Sequence, residues 1–89
     1  MLAIKVLGPG CANCDRLFQL TEQAVEEIKK EHPAYEATVE KVTDPEAFLN
    51  YGLLKTPGLV LNERLVISGH VPAMTQIVAV LREALEVDE

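Results

Sequence analysis

The sequence has 89 residues, which suffices for one small hydrophobic core and not for two, so we expect residues 1–89 to form a single domain. Its 14 acidic and 8 basic side chains give a net charge of −6, which argues against nucleic acid or an anionic membrane surface as a partner. Because it has no run of 18 apolar residues and no secretory signal at its N-terminus, we expect a cytoplasmic protein that does not span a membrane.

The first half of the chain predicts a strand, a helix and a second strand. Residues 2–7 are a short, nearly continuous apolar run bounded by glycines and a proline, which is typical of a buried strand. Apolar residues recur at helical spacing over residues 11–31, and Pro33 ends this helix. Residues 35–40 alternate between apolar and polar, which predicts a strand with one solvated face.

The second half predicts a short helix, two strands and a last helix. Residues 43–46 combine a polar cap, a proline and a glutamate, which favours a helix start, and this helix ends near Gly52. Residues 58–61 and 64–68 are joined by two residues, a connection typical of an antiparallel hairpin. Pro72 is predicted to begin the last helix. The apolar face of this helix consists of Met74, Ile77, Val78, Leu81 and Leu85. The predicted order is β-α-β-α-β-β-α.

This order brings four separate segments to one edge of the sheet. The first two strands are joined through a helix, so they should be parallel neighbours with a right-handed crossover. A third strand that pairs antiparallel with the first begins at the edge where the first strand ends, and the fourth strand returns there. The converging segments are residues 8–14, 41–44, 56–57 and 69–70.

Both cysteines of the chain, Cys11 and Cys14, lie in the first of these segments. Their i, i+3 spacing on a first helical turn allows a disulfide ring to close, and the helix N-terminus favours a thiolate. In a reducing compartment a lone pair of this kind is more often catalytic or metal-binding than structural. Inert packing cysteines rarely lie at such a loop-flanked helix start. Two chemistries therefore stay open, a redox dithiol and a pair of thiolate ligands.

The metal-binding alternative has a specific form. The motif is similar to that of heavy-metal-associated domains, which hold Cu(I) between two thiolates. Those domains run β-α-β-β-α-β and end in a strand, whereas this chain adds a helix and ends in one, so soft-metal binding is the alternative and not the first prediction. A zinc site is disfavoured because His32 lies about 27 Å along the helix from Cys14. We predict no resident metal and no cofactor.

Three motifs together resemble a known family. They are Gly10-Cys11-Ala12-Asn13-Cys14 after the first strand, Thr56-Pro57-Gly58 at the start of the third, and Gly69 after the fourth. The chain resembles, over essentially its whole length, the small thioredoxin-like redox-active disulfide proteins, a glutaredoxin-sized branch of the thioredoxin superfamily. This resemblance implies an α/β thioredoxin-like fold, with a four-stranded mixed sheet flanked by three helices.

The resemblance also implies roles for individual residues. Cys11 would be the exposed nucleophilic thiolate and Cys14 the buried resolving thiol. Pro57 would be a cis-proline packed against the disulfide, and Thr56 and Gly69 would complete the substrate-binding surface. The chain would then be a thiol–disulfide oxidoreductase, active as a monomer on disulfide-containing proteins or small thiols and recharged by a reductase. Neither nucleic acid nor a membrane is expected as a partner.

Several charged residues near the motif leave its electrostatics open. Thioredoxin buries an acid on the strand before its cysteines, whereas the only charge on this strand is Lys5, which either extends to solvent or lies under the dithiol. Asp15 opposes a neighbouring thiolate and Arg16 partly offsets it, so the sign of their sum is undetermined. His70 is expected near the dithiol, because the topology brings the end of the fourth strand to the same edge. It would either modulate the dithiol or, as the favoured alternative, be a solvent-exposed loop residue.

Overall fold

The computed structural model describes the backbone of residues 2–87 and the side chains of residues 2–84. The strands are β1 (Leu2–Leu7), β2 (Ala37–Val42), β3 (Gly58–Leu61) and β4 (Arg64–Ser68). The helices are α1 (Ala12–Glu31), α2 (Pro45–Asn50) and α3 (Met74–Val87). The element order and the thioredoxin-like fold class are therefore confirmed. Within residues 2–87, the helices lack the combination of length and hydropathy that crossing a membrane requires.

The sheet has the strand order β2-β1-β3-β4, which confirms the predicted topology. β1 pairs parallel with β2, and β3 pairs antiparallel with both β1 and β4. Leu7 at the end of β1 is opposite Val42 on one side and Gly58 on the other, and Gly58 is in turn opposite Ser68. The ends of β1, β2 and β4 and the start of β3 thus form one edge.

The core lies on both faces of this sheet, because alternate residues of a strand point to opposite faces. The larger cluster joins Leu2, Ile4 and Val6 of β1 to the apolar faces of α1 and α3. The smaller cluster packs Leu7 and β3 against α2. All four residues of β3 are buried, as expected of a central strand that is covered on both faces.

The boundaries of β2 and α3 differ from the sequence prediction. β2 begins at Ala37, because Tyr35 lies in the preceding turn, where its N–H donates to the carbonyl of His32 at 3.0 Å. The strand continues past residue 40 to Val42, because its pairing with β1 extends to Leu7. Pro72 lies before α3 and not in it: the helix begins at Met74, and the side chain of Gln76 accepts a hydrogen bond from the N–H of Ala73 at 3.2 Å. The predicted contribution of Leu85 to the apolar face lies outside the described side chains.

The start of α2 matches the predicted proline position. Pro45 is in the first turn, and the helix is capped by Asp44, whose side chain accepts a hydrogen bond from the N–H of Glu46 at 3.0 Å. Tyr51 is the C-cap, and Gly52 follows with a φ of 79°, a conformation that glycine adopts without strain. Tyr51 and Gly52 thus end α2 just before the loop that leads to Pro57.

The β3–β4 turn has a left-handed backbone without glycine. Asn62 and Glu63 have φ angles of 48° and 68°, as a type I′ hairpin turn requires. The backbone and side chain of Asn62 both bond to Ala3, donating to its carbonyl at 2.8 Å and accepting from its N–H at 2.9 Å. Asn62 suits this left-handed conformation, whereas Glu63 does not favour it, and the bonds of Asn62 to β1 help to hold the turn.

Candidate active site

The two cysteines are joined by a disulfide, with their Cα atoms 5.1 Å apart. Cys11 is exposed and caps the N-terminus of α1, while Cys14 lies in the first turn and is only 5% exposed. The Sγ of Cys11 accepts a hydrogen bond from the backbone N–H of Cys14 at 3.2 Å. A thiolate at this Sγ would keep the same donor and would lie at the positive end of a 20-residue helix.

The loop before the cysteines is fixed at its first residue. The N–H of Gly8 donates to the carbonyl of Val42 at 2.9 Å, which extends the β1–β2 pairing by one residue, and Gly8 is buried. Gly10 has a φ of 98°, which the turn into α1 requires and which side-chain-bearing residues rarely adopt. The sheet pairing thus extends to Gly8, three residues before Cys11.

The predicted cis peptide bond between Thr56 and Pro57 is present and confirmed. Pro57 is fully buried, and its carbonyl accepts a hydrogen bond from the N–H of Gly69 at 2.9 Å. Thr56 and Gly69 are exposed on either side of it. The structure therefore brings the three predicted substrate-binding residues together, while their binding role stays a prediction.

An ion pair beside the cysteines was not predicted. Lys41, at the end of β2, places its Nζ 3.3 Å from an oxygen of Asp15 and 4.8 Å from the centre of the Phe18 ring. Lys41, and not Arg16, is therefore the cation that pairs with Asp15. The sequence predicts that residues 41–44 lie at this edge, but the pairing itself depends on how β2 lies against α1.

Lys5 belongs to a different cluster. Its Nζ donates to the hydroxyl of Tyr51 at 2.8 Å and to Glu63 at 2.9 Å, and the Tyr51 hydroxyl donates to the other Glu63 oxygen at 2.5 Å. The hydrogen bond to Tyr51 makes the largest contribution and the one to Glu63 the next largest, and together they raise the pKa of Lys5 above its usual range. Hydrogen bonds from Tyr51 and then Lys5 lower the pKa of Glu63. Lys5 therefore ties β1 to α2 and the β3–β4 turn.

His70 is exposed, and its ring Nδ1 lies 3.2 Å from the carbonyl oxygen of Ser68. In the part of the chain that the structure describes, the imidazole makes no hydrogen bond to either cysteine. Its role as a modulator stays a prediction. Among these same residues, no group of three or more His, Cys, Asp or Glu side chains is arranged to hold a metal ion.

Comparison with known proteins gives consistent results. The family model described as a thioredoxin domain matches residues 2–82. A protein named thioredoxin from Methanothermobacter thermautotrophicus is 33% identical over 81 residues, covering 91% of this chain and 99% of its own length. A second thioredoxin, from Methanocaldococcus jannaschii, is 29% identical over 86 residues, covering 97% and 93% of the two chains.

A similar solved structure is that of human ERp44 in its zinc-bound form. It aligns with 92% of this chain with a TM-score of 0.65 and 20% identity, and this chain corresponds to 26% of the ERp44 chain. At this identity the likeness shows the fold alone.

Proposed function

Because the chain belongs to the thioredoxin domain family, whose general activity is thiol–disulfide oxidoreduction, we propose that Cys11 and Cys14 form its dithiol–disulfide couple. In this proposal the couple reduces or exchanges disulfides in proteins or in the oxidised forms of small thiols. A separate reductase then returns the couple to the dithiol. The thioredoxin-like element order and the family match do not favour the alternative of a soft-metal carrier.

The observation that carries the proposal is the unequal environment of the two sulfurs. Cys11 is exposed and its sulfur already accepts a backbone N–H at the N-terminus of α1. Cys14 is 5% exposed, so a bulky substrate disulfide does not reach its sulfur directly. Since the thiolate is the nucleophile in exchange, Cys11 starts the reaction and Cys14 completes it.

The reaction then balances in two steps. The Cys11 thiolate attacks one sulfur of the substrate disulfide, an S–S bond to Cys11 forms, and the other substrate sulfur leaves as a thiolate that takes up a proton. Cys14 loses its proton and attacks the Cys11 sulfur, which closes the internal disulfide and releases the second substrate thiol. Two electrons pass from the dithiol to the substrate.

We place the substrate along the loop before β3. Thr56 and Gly69 are exposed next to the buried Pro57, and Leu54, two residues before Thr56, is 91% exposed. An extended peptide that carries the target disulfide could lie across Thr56 and contact Leu54 through its own apolar side chains. This surface would bind substrates through backbone and apolar contacts.

The test is a trapping experiment with matched variants. Cys14→Ser should accumulate a mixed disulfide with a disulfide-containing protein, whereas Cys11→Ser should accumulate none, and the parent should reduce the substrate without accumulation. Alkylation of the reduced parent at neutral pH, read by peptide mass, should modify Cys11 faster than Cys14. Faster modification of Cys14 would reverse the assignment of roles. Tight Cu(I) binding by the reduced chain, with no disulfide exchange, would replace the proposal with the metal-carrier alternative.

A further inference from the structure

Gly8 lies against the buried cysteine so closely that no side chain fits between them. A Cβ placed on Gly8 would overlap the sulfur of Cys14 and would lie 2.8 Å from the Cys14 Cβ, closer than the 3.0 Å that real Cβ atoms essentially respect. The neighbouring Gly10, by contrast, has open space where its Cβ would be. The close contact is therefore specific to the residue that faces Cys14.

The backbones of Gly8 and Cys14 are both held in place. Gly8 is hydrogen bonded to Val42, and the preceding Leu7 is paired with β2 and β3. Cys14 is in the first turn of α1, and its N–H is bonded to Cys11. In the disulfide, the Cys14 sulfur is also bonded to the sulfur of Cys11, so it is confined to the position beside Gly8.

We propose that Gly8 is a positioning residue for the Cys14 thiol, because its missing side chain leaves the space that the Cys14 sulfur occupies when the disulfide closes. This inference rests on the proposed redox role of the pair. It predicts that a methyl group at position 8 opposes the disulfide more than the dithiol. In the dithiol the Cys14 sulfur is free to rotate about its Cα–Cβ bond to another staggered position, whereas in the disulfide it is not.

The experiment measures the closure of the disulfide by glutathione. In this equilibrium the protein dithiol gives two electrons to glutathione disulfide, one S–S bond forms in the protein, one is broken in glutathione, and two glutathione thiols take up the protons. We expect Gly8→Ala to lower the equilibrium constant for closure at least about tenfold, which corresponds to a reduction potential about 30 mV higher. The control is Gly52→Ala, where a Cβ meets nothing within 4 Å. Its positive φ strains alanine equally in the dithiol and the disulfide, so the closure constant should stay within about twofold of the parent.

A second variant covers the possibility that Gly8→Ala unfolds the chain. Cys14→Gly removes the two atoms that would lie within 3.0 Å of a methyl group at position 8. Chemical denaturation of the reduced proteins should therefore show that Gly8→Ala costs less stability in the Cys14→Gly background than in the parent. An unchanged closure constant for a folded Gly8→Ala, or equal costs in both backgrounds, would overturn the inference. If the parent does not exchange with glutathione, the proposed function fails, while the denaturation comparison still decides whether Gly8 makes room for Cys14.

Discussion

Replacing Asp15 with asparagine is expected to increase the fraction of Cys11 present as thiolate. The N–H of Asp15 donates to the carbonyl of Cys11 at 3.0 Å, so the two residues are one helical turn apart. Cβ atoms at this spacing are typically about 5–6 Å apart, and we take about 6 Å as the distance between the two charges. Since Asp15 is about half exposed, the dielectric constant of water applies, and two unit charges at this distance repel by about 0.7 kcal/mol. Removing that repulsion should raise the thiolate fraction about threefold at a pH below its titration.

Removing the charge of Lys41 should change the thiolate fraction of Cys11 in the opposite direction. Its ammonium group is 3.3 Å from Asp15, so it offsets part of the negative charge that Cys11 experiences. Lys41→Met keeps an unbranched apolar stem against Phe18 but removes the cation, and it should lower the thiolate fraction by a factor of up to about three. In about 1 M salt, where the screening length falls to about 3 Å, both effects should largely disappear.

The assay is the alkylation rate of Cys11 in the reduced proteins as a function of pH, read by peptide mass and checked by thiolate absorbance. Glu26→Gln is the matched control, because Glu26 is an exposed acid on the same helix but more than two turns farther from Cys11. An unchanged or slower reaction for Asp15→Asn would refute the reasoning. So would an increase that persists in high salt, since the effect would then not be electrostatic.

Two further predictions concern stability. Leu17→Ala, at a fully buried position of the larger core cluster, should lower the free energy of unfolding by about 2–5 kcal/mol in urea, whereas Leu54→Ala at a 91% exposed position should change it by less than about 0.5 kcal/mol. Because the pKa of Glu63 is lowered, its charged form stabilises the fold above the usual titration range, and this stabilisation is lost as the pH falls through the lowered pKa. Glu63→Gln should therefore be less stable than the parent at neutral pH, and the gap should close on acidification; a constant gap would contradict the linkage.

The sequence predicted the elements whose patterns are long or bounded by clear breakers. The bounds of β1, β3 and β4 agree with the structure, since each apolar run ends at glycine or at a polar turn. The errors at Tyr35 and Pro72 have one physical cause. Alternation continues beyond the residues that pair, and proline is tolerated in a first helical turn, so neither pattern shows where hydrogen bonding begins.

The candidate site likewise has residues that the sequence predicts and contacts that it does not. Cys11, Cys14 and Pro57 are in short motifs that are recognisable in the sequence, so their convergence follows from the element order. The pairing of Lys41 with Asp15 joins residues 26 positions apart, and it depends on the placement of β2 beside α1. The cluster of Lys5 with Glu63 spans 58 positions and depends on a turn in which Glu63 takes a left-handed conformation that it does not favour. Contacts of this kind are determined by tertiary packing and have no local signal.

Different parts of the structure act on the two sulfurs, so a change at Gly8 should affect the closure equilibrium without affecting the reactivity of Cys11. The charges of Asp15 and Lys41 act on the exposed Cys11, whose thiolate fraction would, in the proposed mechanism, influence how fast a substrate disulfide is attacked. Gly8 touches Cys14, whose sulfur has to fit beside β1 only when the internal disulfide closes. Gly8→Ala should thus shift the closure equilibrium while leaving the alkylation rate of Cys11 nearly unchanged. A variant of Gly8 that slowed both in proportion would instead indicate that the methyl group displaces the whole first turn of α1.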